Sequence, residues 1–394
     1  MYRRTRKHNY INNMPFYQKR GEIPNKRHIQ FRDKNKNLYY EELISRQGFS
    51  SLYSNTYHIN PPTIIKKVGK FKQIKKERAQ EAHRHHHIRS FDLKSEGDAI
   101  SSRLLLFYND DVDLSIAKVD KSMKTFYRNG HNDEIIFIQR GSGSFYSNFG
   151  NMKLKQGDYV IIPRGIIWKM KVEEKMSQFI IETSGPVETP TKYRNSHGQL
   201  LEHSPYSERD IRTTQLDKPI IDGPSIIKTK LNNGFQEYEY SHHPFDIIGW
   251  DGYYYPWILN IDDFMPITGK IHQPPPVHQT FQAPGLVVCS FVPRMFDYHP
   301  EAIPAPYAHS NIDSDEILFY AGGEFMSRNN IQEGSITFHP SGLPHGPHPG
   351  KIEESIGKEK TNELAVMVDT FKPLSISAKA KEADDIDYPM SWKK

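Results

Sequence analysis

Cysteine is nearly missing: Cys289 is the only one in 394 residues. No internal disulfide can form, and thiolate metal sites are excluded. So thiol-poor a chain fits a reducing compartment, and a cytoplasmic location is expected. Cys289 lies in the apolar run Gly285-Leu-Val-Val-Cys-Ser-Phe-Val292 and reads as a packed strand residue rather than a nucleophile. Long apolar stretches are missing too. None approaches the ~20 residues of a membrane span, and the basic N-terminus lacks the apolar core of a secretory signal. Charge of one sign is also scarce. Lys and Arg number 52 against 47 Asp and Glu, for a formal charge of +5. The two signs are mixed along the chain, which argues against a nucleic-acid partner. The first 30 or so residues are the exception, being rich in Lys, Arg and His.

What the chain has is aromatics (21 Phe, 22 Tyr, 4 Trp) and turn formers (25 Gly, 27 Pro), which favour strands joined by tight turns. Met14-Pro-Phe-Tyr-Gln-Lys-Arg-Gly21 reads like a natural start, so residues 1–13 are expected to be a disordered extension. From Arg103 to Met170 short strand-like segments follow one another at roughly ten-residue spacing, the rhythm of a sandwich or barrel. Residues 185–225 are polar and read as a linker or excursion between lobes. Short strands return over residues 264–345, and the tail after Phe371 reads as a short helix or a frayed end. The expected fold class is therefore all-β dominated, with two β-barrel or jelly-roll domains and few short helices. The expected division is 14–235 and 236–394. Basic residues 64–90 end in His83-Arg-His-His-His87, which reads as a solvated segment because no carboxylate follows at useful spacing.

The segment from Tyr307 to Gly350 carries the chemistry. It holds His309-Ser-Asn-Ile-Asp-Ser-Asp-Glu316, a turn at Gly322-Gly323, then Gly334-Ser-Ile-Thr-Phe-His339-Pro-Ser-Gly-Leu-Pro-His345-Gly-Pro-His348. One histidine, one glutamate and a histidine on a later strand can form a facial set of two imidazoles and one carboxylate. Such a set leaves half an octahedron open, the ligand choice of non-heme Fe(II) enzymes. Glu316 precedes an apolar strand, where a carboxylate is costly unless paired or metal-bound. Asp313, Asp315 and His348 read as loop residues. The two strand-rich blocks share a plan, but the first has His131 and Glu134 and then Ile166, Ile167 and Trp168 where the second has His345. One barrel with a metal and one structural barrel are expected.

The pattern resembles the cupin superfamily. Its first motif runs His, any residue, His, then three or four residues, then Glu; here Asn311 stands in the second histidine's place between His309 and Glu316. Its second motif is matched by Gly334, Pro340, Gly342 and His345. The resemblance narrows to homogentisate 1,2-dioxygenase, on Tyr57-His-Ile-Asn-Pro-Pro62, Phe149-Gly150 with Gly157-Asp158 and Ile162-Pro-Arg-Gly165, His243-Pro-Phe-Asp-Ile-Ile-Gly-Trp250, Phe291-Val-Pro-Arg294, Pro306-Tyr307 and Leu343-Pro-His-Gly-Pro347. These phrases span about residues 14–375 in order.

That resemblance implies a two-barrel subunit with Fe(II) in the C-terminal barrel, assembled as a homotrimer or dimer of trimers. It implies His309, Glu316 and His345 as iron ligands and His339 as a residue behind them. It places the family's catalytic histidine at His272 in preference to His278. A tyrosine that contacts substrate in the family falls at Phe325, and Arg294 is a structural ion-pair partner as readily as a substrate-facing residue. The implied reaction joins O₂ and a small aromatic acid, converting homogentisate to maleylacetoacetate in tyrosine and phenylalanine catabolism. The substitution at Phe325 and the shorter chain loosen the substrate. Three alternatives stand beside it: a dioxygenase for another hydroxylated aromatic acid such as gentisate, a non-catalytic two-barrel binding protein, and a metal-dependent isomerase.

Overall fold

The structure is a computed structural model that describes residues 16–221, 223–325 and 327–393. The extension expected over residues 1–13 lies outside the described residues. Strands dominate; the described α-helices are Lys351–Ser355 and Ala378–Lys381.

The expected two-barrel fold is present, and the two barrels follow one pairing order. In the first, Leu104–Tyr108, Val112–Val119, Trp168–Thr183, Asp133–Ser147, Asp158–Ile162 and Trp257–Asn260 lie side by side. In the second the order is Gln279–Ala283, Leu286–Phe291, Leu364–Thr370, Asp315–Gly322, Ser335–His339 and His86–Arg89. This makes the chain a bicupin. The final strand of each series comes from the opposite half of the chain. Trp257–Asn260 closes on the first barrel, and His86–Arg89 closes on the second. The expected division at 235/236 is therefore crossed in both directions. The physical reason is edge protection: without the borrowed strands, Asp158–Ile162 and Ser335–His339 would each have an unpaired edge of N–H and C=O groups.

Strand alternation explains how the second sheet serves two purposes. Ile317, Phe319, Ile336, Phe338, Val366 and Val368 are buried on one face in the common core. Phe319 stacks on Phe179 of the first barrel with ring centroids 4.8 Å apart, and Phe338 meets Phe107 at 5.6 Å. Aromatic pairs at such spacing bind beyond their buried area, so the barrels share one core. The alternate residues Glu316, Leu318, Tyr320, His339, Asp369 and Met367 face the other way.

Two further expectations are revised. Residues 185–225 are no loose excursion: Ile211–Thr213 pairs with Trp257–Leu259, and Tyr206 is buried with its hydroxyl donating to Thr280 O at 2.7 Å. The tail is not frayed. Ser375–Ile376 pairs with Phe107–Tyr108, and the turn Tyr388–Trp392 packs its Trp392 ring against His85 and His348.

Candidate metal centre

Three of the residues named from the motif converge. One ligand atom each from His309, Glu316 and His345 lie within 4.8 Å of one another. Glu316 is the second residue of the strand Asp315–Gly322, where alternation turns it onto the open face. His309 and His345 come from loops, and their backbones are joined by His309 N–H to His345 O at 2.8 Å and His345 N–H to His309 O at 2.9 Å. The turn after His339 passes through Gly342 at φ +82°, a conformation that glycine adopts without strain. Gly346 is required by closeness: a Cβ there would lie 2.7 Å from Ala308 Cα.

The tautomers follow from the partners. His309 Nδ1 faces Tyr307 O at 3.4 Å and His345 Nδ1 faces Leu343 O at 3.2 Å. A carbonyl only accepts, so both Nδ1 atoms carry hydrogen and both Nε2 atoms offer lone pairs. Those lone pairs point at Glu316, with His309 Nε2 3.6 Å from Oε2 and His345 Nε2 3.4 Å from Oε1. Lone pairs facing a carboxylate repel unless a cation lies between them. His345 Nε2 is buried and has no hydrogen-bond partner. A nitrogen–oxygen donor set of this kind fits a divalent transition metal.

His339 supports the carboxylate, its Nδ1–H donating to Glu316 Oε1 at 2.7 Å. Burial pushes the His339 imidazolium down to about 3, so the ring stays neutral. Burial alone would raise the Glu316 carboxyl, but the surrounding imidazoles of His309, His339 and His345 hold it well below the usual range. The adjacent Glu316 carboxylate raises His309.

The other named residues lie further out. His272 is exposed, its Nδ1 3.0 Å from Asp297 Oδ2 and its ring 5.4 Å from Tyr307, which is 6.4 Å from His309. His278 is buried, its ring 4.6 Å from that of Phe291 and its Nδ1 unpartnered. Burial lowers it to about 3. Phe291 stands on the same sheet face as Glu316, across Ala365 from Tyr320. Phe325 is half-buried against Tyr320 at 4.7 Å. Arg294 pairs with Glu363 at 2.9 Å, and His348 is held by Ser391 and the Asn329 amide.

Three contributors were missed. His85, from the run read as solvated, has its ring 5.4 Å from His339 and 6.0 Å from His345, and its Nε2–H donates to Pro344 O at 3.2 Å. His86 and His87 are buried in the adjoining strand, so within His83–His87 the solvated reading holds only for His83, while Ile65–Gln73 is largely exposed. Arg328 donates to Gly346 O and lies 5.4 Å from the Trp392 ring, which itself packs on His85. Asp369 lies directly across from Glu316. Burial and then the Glu316 charge push its carboxyl up to about 8. The alternation of Leu364-Ala-Val-Met-Val-Asp-Thr370 held the signal for Asp369. Nothing local in sequence placed His85 beside residue 345.

The first barrel uses the equivalent place differently. Glu134, fully buried, lies across from Glu182 as Glu316 does from Asp369. Arg103 Nη1 donates to Glu134 at 2.6 Å and to Glu182 at 3.0 Å, and Lys230 holds Glu182 at 2.6 Å. His131 is exposed and accepts from the Asn232 amide. A second acidic group, Glu81 with His86 and Asp384, is likewise already neutralised, by Arg84 and Lys381. A cavity of about 590 Å³ lined by Tyr146, Lys169 and Phe245 shares no residue with the histidine cluster.

With that geometry in place, comparison with known proteins decides the family. The homogentisate 1,2-dioxygenase N-terminal family model matches residues 106–261. A protein of Saccharolobus solfataricus named "Putative dioxygenase SSO1533" is 44% identical over 383 residues, covering 96% of this chain and 99% of its own. The chain belongs to the homogentisate 1,2-dioxygenase family of cupin proteins. Homogentisate 1,2-dioxygenases of Bradyrhizobium diazoefficiens and Nitrobacter hamburgensis are 25% and 24% identical over 70% and 66% of this chain. The matches span only 64% and 61% of those enzymes' own lengths. Among solved structures, protein Ylba from E. coli (8% identity, 77% of this chain, 94% of its own, TM-score 0.32) and a cupin 2 conserved barrel domain protein from Leptotrichia buccalis (10%, 79%, 100%, 0.30) are similar. At these TM-scores they add nothing to the strand pairings. Membership in this dioxygenase family makes the protein an oxidoreductase. No helix among the described residues is long and apolar enough to cross a membrane.

Proposed function

We propose that this protein is an Fe(II)-dependent ring-cleaving dioxygenase for a hydroxylated aromatic acid, with homogentisate, giving maleylacetoacetate, as the first substrate to test. The carrying observation is the convergence of His309 Nε2 and His345 Nε2 on Glu316 in a member of a dioxygenase family. His309, Glu316 and His345 are the proposed holders of the metal. A ferrous ion held by them would supply adjacent open positions for a substrate oxygen and for O₂, together with the electrons that couple the two.

The chain's own residues do the rest. His339 fixes the Glu316 carboxylate through one hydrogen bond and, neutral itself, leaves that carboxylate its negative charge. Leu318, Val287 and Met367 give the open face an apolar floor suited to a ring. A neutral imidazole is needed to accept a phenolic proton. Sequence order favours His272 for that role. The burial of His278, which keeps it neutral, and its free Nδ1 favour His278. A trimer or dimer of trimers is carried as an expectation from the family, to be read by light scattering.

The test is an anaerobic Fe(II) titration followed by an oxygen-electrode trace with homogentisate, gentisate and a hydroxylated salicylate. Uptake of one O₂ per ring opened supports the reading. Iron-loaded protein that consumes no O₂ with any of the three overturns it.

A further inference from the structure

The two barrels place a pair of carboxylates at matching points and satisfy them unequally. In the first, the row across the sheet runs Ile162, Glu134, Glu182, Asp113; in the second it runs His339, Glu316, Asp369, Val287. Glu182 receives Arg103, Lys230 and Asn129, at 3.0, 2.6 and 2.8 Å. Its counterpart Asp369 receives none of these. Its side chain makes no hydrogen bond and no ion pair with any described residue, and its Oδ1 is buried without a partner. A buried, unpaired acceptor carries the full cost of its lost hydration. The side chain is half-buried, so part of it reaches open space. It stands on the open side of Glu316, the other side being closed by His339 and His85.

We propose that Asp369 accepts a hydrogen bond from a ring hydroxyl of the substrate, making it the residue that selects dihydroxylated rings over singly hydroxylated ones. The assignment rests on the ring-binding function proposed above. A neutral hydroxyl supplies the donor that Arg103 and Lys230 supply in the first barrel. A ligand carboxylate at that position would instead offer no donor and would face the Glu316 charge in the same row. The acidic chain of the substrate is thereby directed away from the Glu316–Asp369 row.

The experiment uses the Fe(II)-loaded full chain without O₂ and measures dissociation constants for 2,5-dihydroxyphenylacetate and 2-hydroxyphenylacetate. The native protein is expected to prefer the diol about ten- to hundredfold, the range set by leaving a buried acceptor without its hydrogen bond. Asp369→Ala should reduce that preference to about threefold or less by weakening the diol alone. Asp369→Asn, which keeps the shape and one acceptor, should retain part of it. Iron content should be equal in all three proteins. An unchanged preference in both variants overturns the assignment, as does equal weakening of both ligands or a loss of iron. Native protein that holds iron and binds neither ligand overturns the functional reading itself, and the assignment falls with it.

Discussion

His309 and His345 are fastened to each other through their backbones, with reciprocal N–H to C=O bonds of 2.8 and 2.9 Å. The two loops that offer imidazole nitrogen are thus one unit, aimed at a carboxylate on a rigid strand. Such preorganisation sets metal affinity as much as the ligand types do. The bridge depends on Gly346, whose missing side chain lets Ala308 approach. Gly346→Val should therefore push the loops apart. Metal affinity is expected to fall roughly 10–100-fold, the usual cost of losing support around a ligand, while the shared core keeps the fold. Competition with a chelator of known affinity measures it, and unchanged affinity contradicts the role given to the bridge.

Glu316→Gln should remove bound iron and O₂ uptake together, because the amide keeps the volume but not the charge. Metal analysis of the purified variant reads the first and an oxygen electrode the second. Full iron content in that variant would mean that these three side chains are not the holders.

Arg103 tests the structural character of the first barrel. It bridges Glu134 and Glu182 in the interior. Arg103→Met leaves buried carboxylates short of their guanidinium, which costs on the order of 3–5 kcal/mol. Denaturant unfolding should show that loss. Iron bound per folded chain should stay at the native level. A loss of iron without a loss of stability would give this barrel a part in metal binding.

His272 and His278 separate by experiment. If His278 accepts the phenolic proton, His278→Gln lowers kcat about 10²–10⁴-fold with iron content unchanged, and His272→Gln changes it little. The reverse pattern assigns the role to His272, whose ring leads through Tyr307 to His309.

Much of this was legible in the sequence because it is periodic or local. Alternation and turn residues announced two strand-rich blocks, and the spacing of His309, Glu316 and His345 announced a convergent set. What was hidden depends on long-range pairing. His86–Arg89 sits more than two hundred residues from Ser335–His339, with which it pairs, so nothing near His85 signals that its ring will lie against His339. Trp257–Asn260 is equally silent about closing the first barrel. Glu134 beside His131 looked like half a metal motif. Only the pairing with Glu182 and the arrival of Arg103 show the charge already met.

The same kind of long-range pairing makes a prediction about pH. His58 and Asp246, from two phrases almost two hundred residues apart, meet in the interior at 2.8 Å, and Asp246 also accepts from the Asn60 amide. Burial opposes the imidazolium charge, but hydrogen bonds to Asp246 and Glu42 outweigh it and raise His58 from 6.5 to about 9. A folded-state value above the unfolded one means that the folded protein binds the extra proton. The stabilisation is therefore complete below about 6.5 and is lost as pH rises through about 9. A rise of that size corresponds to roughly 3 kcal/mol. Melting temperature should fall across this alkaline window in the native protein. The His58→Gln variant, less stable at pH 6, should lose less over the same range. Parallel melting curves for the two proteins from pH 6 to pH 9.5 would show that the His58–Asp246 pair does not carry the proton that burial and geometry assign to it.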